Sequence, residues 1–217
     1  MQARTETYTH FNMSIIGGFF GCFAIISFCD VFANAQTTNM IKIINDIARG
    51  DFLSFFLRMA GLIVYFSGLS LSVIIPHYSR INLKYLSLVF DTLSVAAIAF
   101  MPSNVENSFY TYPLFFSMAF QWTAFPGAFG FASSCIFSTN NFRQFSTSLT
   151  EFVFSKEKAM LKKAKFYGLT LLSYHFGALI AVTGSLFIGK NCIFIVLIPI
   201  TSAFILVSFG KAKKQKA

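Results

Sequence analysis

Six apolar stretches, each long enough to cross a bilayer as a helix, constrain this chain more than any motif in it. They run roughly Asn12–Cys29, Met59–Ile75, Tyr85–Met101, Leu114–Phe131, Tyr167–Ile188 and Cys192–Phe209. About 20 helical residues cross the hydrocarbon core, and about 17 suffice. No water is available there to satisfy backbone N–H and C=O groups, so these segments should be helices. Thirty phenylalanines, a charged fraction of only 12% and a mean hydropathy of +0.65 agree with a membrane chain. The expected fold is an all-α polytopic membrane helix bundle of about six transmembrane helices, forming a single integral membrane domain over 1–217. Its partner is then the lipid bilayer.

Orientation follows from the basic residues. With the N-terminus inside, thirteen Lys and Arg fall on the inner side and four on the outer, and the outer loop Pro102–Tyr112 carries none. Both termini are therefore expected in the cytoplasm. The net charge of +9 does not point to nucleic acid. The basic clusters Ser155–Lys165 and Lys211–Lys216 sit beside apolar runs, where they suit anionic headgroups. The first apolar run lacks a cleavage pattern and reads as an anchor. Cys22, Cys29, Cys135 and Cys192 have no CxxC spacing and read as small packing residues.

Two segments, Asp30–Leu57 and Ile136–Phe154, are too polar to span simply, yet each has a helical period. Met40, Ile43 and Ile47 share one face, and Phe142, Phe145 and Leu149 share another. A constant offset of 102 pairs these positions, and pairs Thr37 with Thr139 and Asn39 with Asn141. Each unit reads span, polar signature, amphipathic helix, span, span. Three spans per unit is odd, so the second copy is expected to be inverted. This gives a 3+3 inverted repeat over approximately 12–101 and 113–209 with two short amphipathic helices.

The stretches Gly17-Gly18-Phe19-Phe20-Gly21 and Val31-Phe32-Ala33-Asn34-Ala35-Gln36-Thr37-Thr38-Asn39 resemble the opening signature of YoaK-like bacterial membrane proteins. That signature usually ends Thr-Gly-Asn, and Thr38 stands here in place of the glycine. The family's fourth helix usually carries Gly-Leu/Met-Gln-Asn-Ala. Ala119-Phe120-Gln121-Trp122-Thr123 sits at that place, keeping Gln121 and replacing the asparagine by Trp122. The resemblance implies a six-helix bacterial inner-membrane protein carrying a domain without an assigned activity.

Several residues are candidates for chemistry. Thr and Asn are good N-caps, so Thr37, Asn39, Thr139 and Asn141 either cap interfacial helices or mark helix N-termini that take a carboxylate or phosphate. Gln121 and Trp122 precede Pro126-Gly127, where a kink would expose a carbonyl; they could read a solute by hydrogen bonding and stacking, or serve as helix-packing and interfacial residues. Asp91 lies inside the third run, at a cost of roughly 2.5–3.5 kcal/mol on insertion scales. With His175 of the fifth run it is the candidate for proton coupling. Gly17 and Gly21 form a GxxxG that suits close helix packing.

No Walker loop, HExxH, GxSxG, Cys/His ligand set or dinucleotide fingerprint is present in the sequence, so neither an enzyme, nor a cofactor, nor a metal is expected. The expected function is a small-solute transporter or permease-like protein. Thr37, Asn39, Gln121, Trp122, Thr139 and Asn141 would bind an anionic or zwitterionic metabolite. A homodimer would thicken the wall that one such chain makes. The alternative is a non-transporting scaffold or sensor acting through Lys156–Lys165.

Overall fold

The computed structural model describes the backbone of residues 2–28 and 31–214 and the side chains of residues 4–28 and 31–210. Cys29, Asp30 and the basic run Lys211–Lys216 lie outside these descriptions, wholly or in their side chains. Among the described residues there are eight α-helices: α1 (Gln2–Ser27), α2 (Thr37–Arg49), α3 (Phe52–Tyr78), α4 (Leu83–Ala99), α5 (Asn107–Ala124), α6 (Thr139–Ser155), α7 (Lys158–Ile188) and α8 (Leu197–Lys214). After α5, β1 (Gly127–Ala128) pairs antiparallel with β2 (Phe131–Ala132) in a minimal hairpin. A 3-10 turn, Gly189–Val196, joins α7 to α8.

Among the described residues, three stretches are long and apolar enough to cross a membrane: Arg4–Ser27, Phe52–Tyr78 and Lys158–Gly210. The last, of 53 residues, contains both α7 and α8, broken at Gly189 (φ 59°). The surface has the polarity of a chain solvated by lipid. On α3, Leu53, Phe56, Ile63 and Phe66 point outward while Gly61, Tyr65, Gly68 and Ser72 are buried. On α2 the apolar face also points outward, through Met40, Ile41, Ile44 and Ile47, while Asn39, Ile43 and Asp46 are buried. On α6, Phe142 and Leu149 are exposed while Asn141 and Ser148 are buried. Lipid tails are as apolar as leucine, so an apolar face can stay outward while small and polar residues on these helices turn inward.

Local signals explain the helix ends. Gly50 (φ 70°) closes α2, its N–H donating to the Asp46 and Ile47 carbonyls. Asp51 then caps α3, accepting the Ser54 N–H at 3.1 Å. The Ser54 hydroxyl first, and then this backbone N–H, hold the exposed Asp51 carboxyl below its usual range. The turn lays α2 back along α3, and Arg58 Nε clamps the pair by donating to Asp46 Oδ2 at 2.8 Å. Asn82 caps α4 in the same way, accepting the Lys84 N–H at 2.9 Å.

Packing divides the helices into two groups. One has α1 between α7 and α8, with α6 on α7; the other has α5 between α3 and α4, with α2 on α3. The groups meet mainly where α4 touches α8, with a smaller contact of α1 on α5. Helices α1 and α7 run parallel, since His10 stacks on Phe166 and Gly18 meets the Tyr174 carbonyl further along. Helices α3 and α5 also run parallel: Tyr112 donates to the Leu57 carbonyl at 2.8 Å, and Gly68 meets Phe116 and Ala119. The pairs α1/α8 and α4/α5 are antiparallel: Asn12 bonds the Pro199 carbonyl (2.7 Å) while Thr5 lies near Gly210, and Ser94 bonds the Pro113 carbonyl (2.8 Å) while Phe90 packs on Phe116 and Phe120.

The Gly17/Gly21 motif differs from the expectation. It receives loops, not a helix. A Cβ on Gly17 would lie 2.2 Å from the Cys135 carbonyl oxygen, and one on Gly21 would strike Asn34. The segment after α1 thus folds back along that helix until Asn34 reaches Gly17, and α2 starts beside the middle of α3. Pro126 also differs, because α5 has already ended at Ala124 and no helix is kinked there.

Candidate functional site

A cavity of about 600 Å³ lies where the N-termini of α2 and α6 converge. Thr37 and Thr139 open the two helices and both line it. Trp122, at the end of α5, forms part of the wall, edge-on to Phe137 at 4.9 Å between centroids. Leu62, Tyr65 and Leu69 of α3 supply an apolar floor, and the exposed Phe66, Met40 and Trp122 stand at its open rim. The size and mainly apolar lining with few polar groups suit a small ligand. None of the lining residues is charged.

The helix N-termini here are bare. The N-cap residues are Gln36 and Ser138, not the threonines or asparagines, and neither side chain caps its helix. Their carbonyls accept Met40 and Phe142 N–H groups at 2.8 Å, but the first-turn N–H groups have no intrahelical acceptor. Gln36 Oε1 accepts from Asn39 Nδ2 at 3.1 Å, whereas Gln36 Nε2, buried and lining the cavity, has no hydrogen-bond partner. Two partial positive helix ends therefore face one space, an arrangement that accepts an anion without a basic side chain.

The family described as "protein of unknown function (DUF1275)" matches residues 9–206. The chain belongs to this family. The match agrees with the resemblance drawn from residues 17–39 at the level of an uncharacterised domain, not at the level of the YoaK-like name. No curated protein and no solved structure matches the chain.

The remaining residues singled out in this DUF1275 chain have other places. Asn39 lies behind the cavity, in a small crevice with Arg58, Thr111 and Tyr112. Asn141 holds the second loop: its Nδ2 donates to the Ser134 carbonyl at 2.6 Å, and its Oδ1 accepts from Ser133 at 2.9 Å. Gln121 is fully buried, donating to the Met13 carbonyl (3.1 Å) and to Cys135 Sγ (3.3 Å). Asp91 is fully buried, and its carboxyl oxygens have no partner apart from the Ser117 hydroxyl. His175 is exposed on α7, its Nδ1 against the Leu171 carbonyl at 2.8 Å, so it is not brought to Asp91. Cys22, Cys135 and Cys192 are free thiols.

Four residues that matter were not singled out from the sequence. Gln36 supplies the unused donor. Asn34 donates to the carbonyls of Gly17 (2.7 Å) and Ile136, joining the two loops to α1. Tyr65 donates to the Asn34 carbonyl at 3.1 Å. His10 meets Ser133 Oγ at 3.0 Å; because Ser133 donates onward to Asn141, His10 Nε2 carries the proton in that contact. The Asn34 and Gln36 amides, the His10 imidazole and the Tyr65 phenol were the available signals, since buried polar groups require partners.

Proposed function

We propose that this protein crosses the bacterial inner membrane six times as two inverted three-span halves, with both termini cytoplasmic, and moves a small anionic or zwitterionic solute through the Thr37–Thr139 cavity. The spans are α1, α3, α4, α5, α7 and α8, and α2 and α6 are re-entrant half-helices whose N-termini meet near mid-depth. Six alternating crossings require α1 and α7 to point one way and α3 and α5 the other, in keeping with the parallel pairs. Exchanging α1 with α5, α3 with α7, α4 with α8 and α2 with α6 maps one group of packed helices onto the other. The offset of 102 also relates Asn34 to Ile136, and these two residues are bonded. Equivalent positions in a two-fold arrangement touch only at its axis.

The observation that carries the solute reading is the pair of helix N-termini without side-chain caps that open on one pocket. Discontinuous helices presenting such ends to an anionic group at a repeat interface are a recurrent transporter device. Trp122 is the sole tryptophan of the chain, so its fluorescence reports on the cavity directly. Titration of the purified protein with a panel of carboxylate and phosphate metabolites should give a saturable change for a binder, lost in Gln36→Leu. Proteoliposomes should then take up that compound. No saturable signal over a broad panel from folded protein, with no uptake, would rule this reading out.

The scaffold or sensor reading has one observation in its favour. A groove of about 490 Å³ is walled by Phe11, Phe129, Phe166 and Leu169 and edged by Lys158, Lys162 and Lys165. It suits an anionic lipid, with acyl chain against the rings and headgroup on the lysines. Replacing the three lysines by glutamine should abolish the cellular phenotype under the scaffold reading and spare solute uptake under the transport reading.

A further inference from the structure

Four buried oxygen-bearing side chains face one another across α4 and α5, and the solute cavity uses none of them. The two helices are antiparallel. Phe90 packs on Phe116 and Phe120 at 4.9 Å, Ser94 bonds the Pro113 carbonyl, and Lys84 reaches the Phe125 ring. In this register Asp91 faces Ser117, and Ser87, one turn earlier, faces Gln121, one turn later. All four are fully buried. The Ser117 hydroxyl lies within hydrogen-bond reach of the Asp91 carboxyl and has the Leu114 carbonyl at 3.4 Å as its other acceptor. Apart from that hydroxyl, both Asp91 oxygens, Gln121 Oε1 and Ser87 Oγ have no hydrogen-bond partner. Gln121 is fixed so that this oxygen stays free, because its Nε2 is spent on Met13 and Cys135.

A lone carboxylate cannot stay charged in such a place without a counter-charge. No cationic group of the described residues forms an ion pair with it, the single pair recorded being Arg58 with Asp46. We propose that Asp91, Gln121, Ser87 and Ser117 bind a dehydrated monovalent cation, Na⁺ by preference. Hard cations take oxygen ligands such as carboxylate, amide carbonyl and hydroxyl. A proton on Asp91 could bridge to one neighbouring acceptor, leaving the others unpaired, whereas one ion collects them all. A single negative charge is neutralised by a monovalent ion and overcompensated by a divalent one. The site sits on the seam between the two helix groups, since Gln121 also ties α5 to α1 through Met13. As a coupling-ion site it extends the transport reading, but ion binding is measured with no solute present, so each can fail alone.

The test is thermal unfolding of the full chain in detergent, titrated with NaCl against choline chloride at constant ionic strength. Saturable stabilisation by Na⁺ over choline is expected. In Asp91→Asn, which is isosteric and uncharged, the response should vanish while the protein stays folded. Gln121→Leu and Ser87→Ala should each raise the apparent Na⁺ dissociation constant at least tenfold. Equal stability in Na⁺ and choline would overturn the proposal, as would a Na⁺ response that survives Asp91→Asn. Stabilisation by low pH alone, identical in both salts, would show that Asp91 holds a proton instead.

Discussion

Replacing Asn34 separates hydrogen bonding from packing more sharply than any other change in this molecule. Its Nδ2 donates to the Gly17 and Ile136 carbonyls, and the residue is fully buried. In Asn34→Ala the Gly17 carbonyl keeps the reach of its own helix. The Ile136 carbonyl, in a loop, loses this donor. A lost buried bond plus an acceptor left dry amounts to about 2–4 kcal/mol. Asn34→Asp keeps the shape almost unchanged but turns the donor into an acceptor facing two carbonyl oxygens, and threatens to bury a charge. It should therefore destabilise more than the truncation, by at least about 1 kcal/mol, or force the carboxyl to take up a proton. Unfolding of the three proteins in mixed micelles, followed by Trp122 fluorescence and circular dichroism, measures the order. If Asn34→Asp is as stable as the parent at neutral pH, Asn34 does not staple the loops through its Nδ2.

Other outcomes follow from single contacts. Gly18→Ala would place a methyl 1.8 Å from the Tyr174 carbonyl oxygen, so α1 and α7 must part; a loss of about 1–3 kcal/mol or more is expected in the same assay. Gln36→Leu strands the buried Asn39 Nδ2 that bonds Gln36 Oε1 and should cost about 1–3 kcal/mol, while abolishing any ligand-induced Trp122 signal. Arg58→Gln breaks the clamp on Asp46 and should speed hydrogen exchange of α2 before that of α3. Asp51 has a folded pKa below its unfolded one. Its cap on α3 is therefore complete at neutral pH and fades as pH drops below the ordinary carboxylate value, visible as faster exchange at Ser54 in acid.

Much of the all-helical layout was legible because hydrophobic length is a local property. The spans read from sequence overlap α1, α3, α4, α5, α7 and α8, and the two signatures fall at the starts of α2 and α6. The direction of the amphipathic faces was not legible. Met40 and Ile47 define the same stripe whether it meets a core or lipid, and only the neighbours of Asn39 and Asp46 decide. For the site, Thr37, Thr139 and Trp122 were readable from position, as they share one cavity. Asn141 and Gln121 were readable as buried polar residues but not as internal braces, because their partners are backbone carbonyls more than ten residues away or in a loop of irregular path. Gln36 was hidden beside a louder motif. The separation of His175 from Asp91 depends on helix rotation, which a single histidine in an apolar run does not encode.

Where backbone meets backbone, no rotamer can absorb sliding. Gly18 and Gly177 press α1 and α7 together in this way, and Gly68 sets α3 against α5. Each pair must then travel as one stiff beam. The beams do not follow chain order, since each takes one helix from either half of the chain. Relative motion is left to the seam between them, and α2 rides on the α3 beam while α6 rides on the α7 beam. Rocking one beam against the other would change the gap between Thr37 and Thr139 directly, so the cavity is a gauge of the angle between two rigid bodies.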